Sequence, residues 1–179
     1  EWGKRILANS SHLQQDNAAH QYEHSIEVQL PFLQYFRPDI RIVPITLACG
    51  NGAAYREIGK EIARSVRELG QEVVIMASSD MTHYESQASA QQKDQQAIDA
   101  MLRLDEDELL RRVKELDISM CGYAPTVCLI SAAKELGATA AELVRYQTSG
   151  DITGDYSSVV GYAGIIITAV EIHPLVQLA

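Results

Sequence analysis

The stretch EVVIMASSDMTHYES, residues 72–86, constrains the fold more than any other part of the chain. Its first half is a short apolar run, β-branched at Val73, Val74 and Ile75, and bounded by polar residues. Such a run over 72–79 reads as a strand, and one without polar alternation reads as buried on both faces, under helices. The polar half, SSDMTHYES, then sits at the strand's carboxyl end, where open α/β sheets bind their ligands. One stretch therefore predicts both an architecture and a place for a site.

The remaining periodicities agree with an alternating α/β chain. Ile26, Leu30 and Leu33 share one face of a helix predicted over 25–36, with Ser25 as its cap and Pro31 tolerated in its first turns. IRIVPITLA (40–48) reads as a second buried strand. Ile58, Ile62, Val66 and Leu69 predict a helix over 53–69 that Gly70 stops. Helices follow over 88–103 and 106–115 and within the stretch 121–137, the last with Pro125 near its first turn and Gly137 after its end. Strands are predicted over 141–148 and 157–170; the Gly-rich loop between them allows this pair to run antiparallel. The whole is expected to be a three-layer α/β/α fold with a central mixed, mostly parallel sheet. With 179 residues and no repeat or linker, a single α/β domain over 1–179 is expected.

Composition narrows the partners. Lys and Arg number 15 against 24 Asp and Glu, a net charge of -9, and the sequence shows no basic cluster to neutralise phosphates, so no nucleic-acid partner is expected. The longest apolar stretch, VVGYAGIIITAV, is too short to span a bilayer and is punctuated by glycine, so no membrane partner is expected. The three cysteines, Cys49, Cys121 and Cys128, do not form a disulfide framework, which points to a reducing, cytoplasmic setting.

Three groups can carry chemistry. In SSDMTH, Asp80 can hold an imidazole in one tautomer, and His83 can ligate a metal or move a proton near neutral pH. In SMCGYAP, the Cys121 sulfur faces the free N–H groups of a helix start, and Gly122 removes a side chain beside it. In YEHSIEVQLPF, His24 stands just before a helix between Glu23 and Glu27, which read as groups that orient it or favour the helix start. Two histidines with a carboxylate suit non-haem iron; histidine with cysteine suits zinc or copper. Tyr123 and Tyr156 are weaker candidates for a pocket lining. Asp151 and Asp155 lack EF-hand spacing and read as turn residues. Cys49, Cys128, His12, His20 and His173 read as structural, and no nucleophile elbow or phosphate-cradling loop is present.

The order of EHSIEVQLPFL, SSDMTHY, MCGYAP and TSGDITGDYSSVVGYAG resembles the Memo-like family, also called AmmeMemoRadiSam system protein B, over about residues 20–168. That family in turn resembles the LigB-type class III extradiol dioxygenases in fold. The resemblance implies an α/β/α architecture and a pocket in which His24 and Cys121 hold a metal while Asp80 and His83 serve catalysis. It implies iron or copper, with zinc as a further option, in a metal-dependent oxidoreductase. A cysteine where the dioxygenases carry a carboxylate ligand shifts preference towards softer ions and away from extradiol cleavage. The alternative is a non-catalytic module that binds a peptide or small molecule in a degenerate dioxygenase-type pocket. The family also carries a further pocket histidine and strands upstream. This chain is expected to lack those N-terminal strands, which leaves a sheet edge open to homo-oligomer formation.

Overall fold

The computed structural model describes residues 1–48 and 50–169. Helix α1 (Trp2–Asn9) buries Ile6 and lies along α3 (Gly52–Leu69). The Trp2 indole donates to Gln71 Oε1 at 2.9 Å, and the Asn9 amide donates to Ser65 Oγ at 3.1 Å. The start of α3 is fixed by the Asn51 side chain, which accepts the Ala54 N–H, and its end by Gly70 in the left-handed region at φ 58°. Its apolar face, Tyr55, Ile58 and Ile62, packs against α6 (Tyr123–Glu135).

Helices α4 (Gln87–Leu102) and α5 (Glu106–Glu115) are capped by Ser86 and Asp105, whose side chains accept the N–H of Ser89 and Glu108. A short helix, α7 (Gly150–Thr153), joins the two long strands. The sheet consists of β1 (His83–Glu85), β2 (Ala140–Thr148) and β3 (Val159–Thr168), in the order β1-β3-β2 with both pairings antiparallel. Helix α4 packs against all three strands. Ile98, Leu109, Val127, Ile130 and Val159 are fully buried between these elements. Each contributes about 1.5–3 kcal/mol by leaving water.

The chain is thus mixed α/β, but the expected mostly parallel central sheet does not form. Neither 40–48 nor 72–79 joins a ladder; both run as irregular backbone. Val74 is 93% exposed, and Ile42, Val43 and Met76 are also open to solvent. The physical reason is that a strand exists only through its neighbour. β-branched composition makes 72–79 suited to an extended backbone, yet nothing among the described residues pairs with it. Among the described residues the one ladder of length is the hairpin-like β2–β3 pair, whose connection is short enough for antiparallel pairing. The helix expected over 25–36 starts late, as a 3-10 turn at Glu27–Gln29 followed by α2 (Leu30–Phe36). Ser25 does not cap it; its carbonyl instead accepts the Ser78 hydroxyl at 2.8 Å.

One ion pair ties the β1 end to α4. Glu85 accepts from Lys93 Nζ at 2.6 Å and from the Ser89 hydroxyl, and these partners, Lys93 first, hold its carboxyl below its ordinary value of 4.5. A depressed folded value means that the stabilisation is full above the unfolded value and is lost as pH falls through the folded one. Glu85→Gln is therefore expected to cost about 1 kcal/mol at neutral pH, with the two unfolding curves converging as the solution is acidified. A gap in urea midpoint that stays constant across the acid range would show that the pair does not act this way.

Candidate metal centre

Residues 80–83 leave the extended stretch and enter β1 through a tightly held turn. Met81 and Thr82 are buried, and two backbone bonds to Gly161 hold them: Met81 N–H to Gly161 O, and Gly161 N–H to Thr82 O, each 2.9 Å. His83 follows as the first residue of β1, opposite Val160. Its backbone N–H donates to Ser119 Oγ at 2.7 Å, and its Nδ1 lies 2.8 Å from Ser119 O. A carbonyl oxygen only accepts, so Nδ1 carries the proton and Nε2 presents its lone pair. Tyr84 then takes the left-handed conformation, φ 58°, and its ring projects into solvent, 79% exposed. That conformation costs a bulky residue about 1–2 kcal/mol, which the fixed residues on either side sustain.

Cys121 arrives from the other direction, just before Gly122 caps α6. The Asp80 N–H donates to Cys121 Sγ at 3.3 Å, and the Gly122 N–H donates to Ser79 Oγ at 2.9 Å. A Cβ on residue 122 would overlap the Ser79 side chain and lie 2.7 Å from Ser78 O. The missing side chain at Gly122 therefore admits the backbone of 78–79, and that close approach carries Asp80 to the sulfur.

The result is three donor atoms, one each from Asp80, His83 and Cys121, all within 4.8 Å of one another. Asp80 Oδ2 is 3.6 Å from His83 Nε2. Bonds of about 2.0–2.3 Å to a tetrahedral ion set neighbouring donors about 3.3–3.8 Å apart, so the group matches a metal's demand with small side-chain adjustments. The Nδ1–H of His83 tied to a carbonyl is also the usual support of a ligating histidine. On both counts the residues fit a metal ion.

Other residues singled out from sequence fall elsewhere. His24 is exposed and is not one of the three converging donors. Its segment is nevertheless fastened to the site's edge, because Gln29 Nε2 donates to Ser78 Oγ at 3.2 Å alongside the Ser25–Ser78 bond. Glu23 accepts the Ser25 N–H at 2.6 Å, which holds its carboxyl below the usual range, so it fastens the turn after His24. Glu27 is exposed in the first turn of the 3-10 segment. Tyr123 stacks edge-on against Tyr55 at 6.2 Å as part of the core, and Tyr156 is an exposed loop residue whose carbonyl accepts the Gln87 N–H at 3.0 Å. Cys49 and His173 lie outside the described residues.

Asp80, expected to orient the imidazole, lies at its Nε2 edge, and Ser119 holds the Nδ1 edge; Ser119 stands two residues before Cys121 and carries no sequence signal of that role. Tyr162 was also missed. Burial, then the nearby Asp80 carboxylate and Tyr84, raise its hydroxyl above the ordinary tyrosine value.

The two described cysteines should behave differently. Cys121 is exposed, whereas burial pushes the Cys128 thiol up to about 12 from 9.0. That is roughly a thousandfold less thiolate at neutral pH. Brief iodoacetamide treatment of the native chain is expected to alkylate the Cys121 peptide and spare Cys128 until urea unfolds the protein. Equal labelling of the two native peptides would contradict this.

The fold and site together define a mixed α/β chain with a nitrogen, oxygen and sulfur donor group on one loop and one helix start. The chain belongs to the Memo-like family, whose model, described as Memo-like protein, matches residues 1–166. It is 49% identical over 168 residues to a MEMO1 family protein of Methanococcoides burtonii, covering 93% of this chain and 62% of that relative. A MEMO1 family protein of Methanopyrus kandleri is 43% identical over 167 residues, 93% of this chain and 59% of the relative. One of Methanocaldococcus jannaschii is 47% identical over 156 residues, 85% and 54%. The chain thus spans somewhat under two thirds of the length of these relatives.

Proposed function

We propose that this chain carries the metal-binding centre of an oxidoreductase-type protein, with Asp80, His83 and Cys121 as the donors. The observation that carries the reading is the convergence of the three donor atoms within 4.8 Å. The Ser119 carbonyl, by holding the Nδ1 proton, directs Nε2 towards the group. The Asp80 N–H supports charge on the Cys121 sulfur. A donor set with one sulfur and one imidazole favours iron, copper or zinc over magnesium or calcium. When bound, such an ion supplies Lewis-acid or one-electron chemistry. His83 is then either a ligand or the group that moves a proton at Nε2. His24, whose segment is tied to Ser78, is the further candidate ligand.

The test is metal analysis after equilibration with Fe(II), Cu or Zn under reducing conditions and removal of free ion. About one metal per chain is expected, released on acidification as the donors take up protons. A metal content at background for all three ions would overturn the reading.

A further inference from the structure

The turn that carries Asp80 and His83 is gripped from beneath by a group with no part in the donor set. Asp94, on α4, is fully buried, and its Oδ1 accepts the Thr82 N–H at 2.9 Å. Its Oδ2 accepts the Tyr146 hydroxyl from β2 at 2.7 Å. Burial and the Asp94 carboxylate both raise the Tyr146 hydroxyl, as expected of a phenol that donates to a carboxylate. Opposite, Gly161 of β3 bonds the turn's backbone, and a Cβ there would overlap Asp94 Oδ2. The Thr82 peptide is thus clamped on both sides, by α4 and by β3. The Thr82 hydroxyl, fully buried, has no hydrogen-bond partner, so the grip acts through the backbone.

A buried carboxylate is costly unless paired, and among the described residues no cation pairs with Asp94. What offsets that cost is its two hydrogen bonds, from the Thr82 N–H and the Tyr146 hydroxyl. We propose that Asp94, with Tyr146, is a positioning residue of the metal centre: it fixes the Thr82 peptide so that Asp80 and His83, on either side of it, meet Cys121. This rests on the metal-site reading above. The causal chain is short. Without the Asp94 acceptor the 81–82 peptide is released, the next residue's N–H, that of His83, loses its register with Ser119 Oγ, and the Nδ1–H bond to Ser119 O that sets the tautomer weakens.

The test uses the full chain with Co(II) as the metal probe, and the nitrogen-15 spectrum of the His83 ring in the metal-free protein. The metal-free chain is expected to show His83 as the single Nδ1–H tautomer. Tyr146→Phe and Asp94→Asn are expected to mix the tautomers and to weaken Co(II) binding about 10- to 100-fold. Ile98→Ala, one turn further along the same helix, is expected to lower stability but leave both readouts as in the parent. If Tyr146→Phe folds with the parent tautomer and binds Co(II) within about twofold of it, the proposal is overturned. It is equally overturned if Ile98→Ala moves both readouts as far. If Asp94→Asn does not fold, Tyr146→Phe decides. If the parent chain takes no Co(II), the metal reading fails by itself, and the His83 tautomer still decides whether Asp94 positions the turn.

Discussion

Cys121→Ser and His83→Ala are each expected to weaken divalent-metal binding by about a hundredfold or more, close to 3 kcal/mol. Each removes one of three converging donors and leaves the others too few to hold an ion against water. Cys121→Ser exchanges a soft sulfur for a hydroxyl that is not ionised at neutral pH, so the loss should be greatest for copper and zinc. Stability should change little in Cys121→Ser, because Cys121 is exposed, and by about 1 kcal/mol in His83→Ala, which loses the bond from Nδ1 to the Ser119 carbonyl. The pair of measurements, metal affinity by competition and unfolding by urea, separates the two effects. Wild-type affinity in both variants would mean that the three donors are close for another reason.

The second large effect is structural. Ile98 is 1% exposed and lies on the buried face of α4 with Ala90, Asp94, Ala97 and Met101. Ile98→Ala removes several methyl and methylene groups from a packed interior and leaves a cavity that neighbours fill only in part, so it should cost about 2–5 kcal/mol. Set against a total stability of about 5–15 kcal/mol, that is a large share of what holds the chain folded. Equilibrium urea unfolding measures it. A cost below about 1 kcal/mol would mean that α4 is not seated on the core as described.

How far the sequence reached depends on whether a signal is local. The boundaries of α3, α4 and α5 follow from local features: the Asn51, Ser86 and Asp105 side chains, which accept an N–H within one turn at the starts, and the left-handed backbone of Gly70 at an end. The β2–β3 pair was legible because both strands and their turn lie within thirty residues. The strands expected at 40–48 and 72–79 were misread because an apolar, β-branched run reports what a backbone prefers and says nothing of a partner. The site divided in the same way. Asp80, His83 and Cys121 announce themselves by chemistry and order, and they converge. Ser119 acts on His83 through its hydroxyl and carbonyl, and Asp94, bonded by Tyr146, acts on Thr82 from beneath the turn; roles made by long-range contacts of this kind leave no local signal. His24 reads as a ligand only through the family resemblance, and its imidazole is exposed outside the converging group.

The most direct test of the central claim is the near-ultraviolet spectrum of the chain loaded with Co(II). If Asp80, His83 and Cys121 hold the ion, a thiolate-to-cobalt charge-transfer band should appear at one equivalent, vanish in Cys121→Ser and persist in Cys128→Ser. A chain that shows no such band, or one that keeps it in Cys121→Ser, would contradict the account.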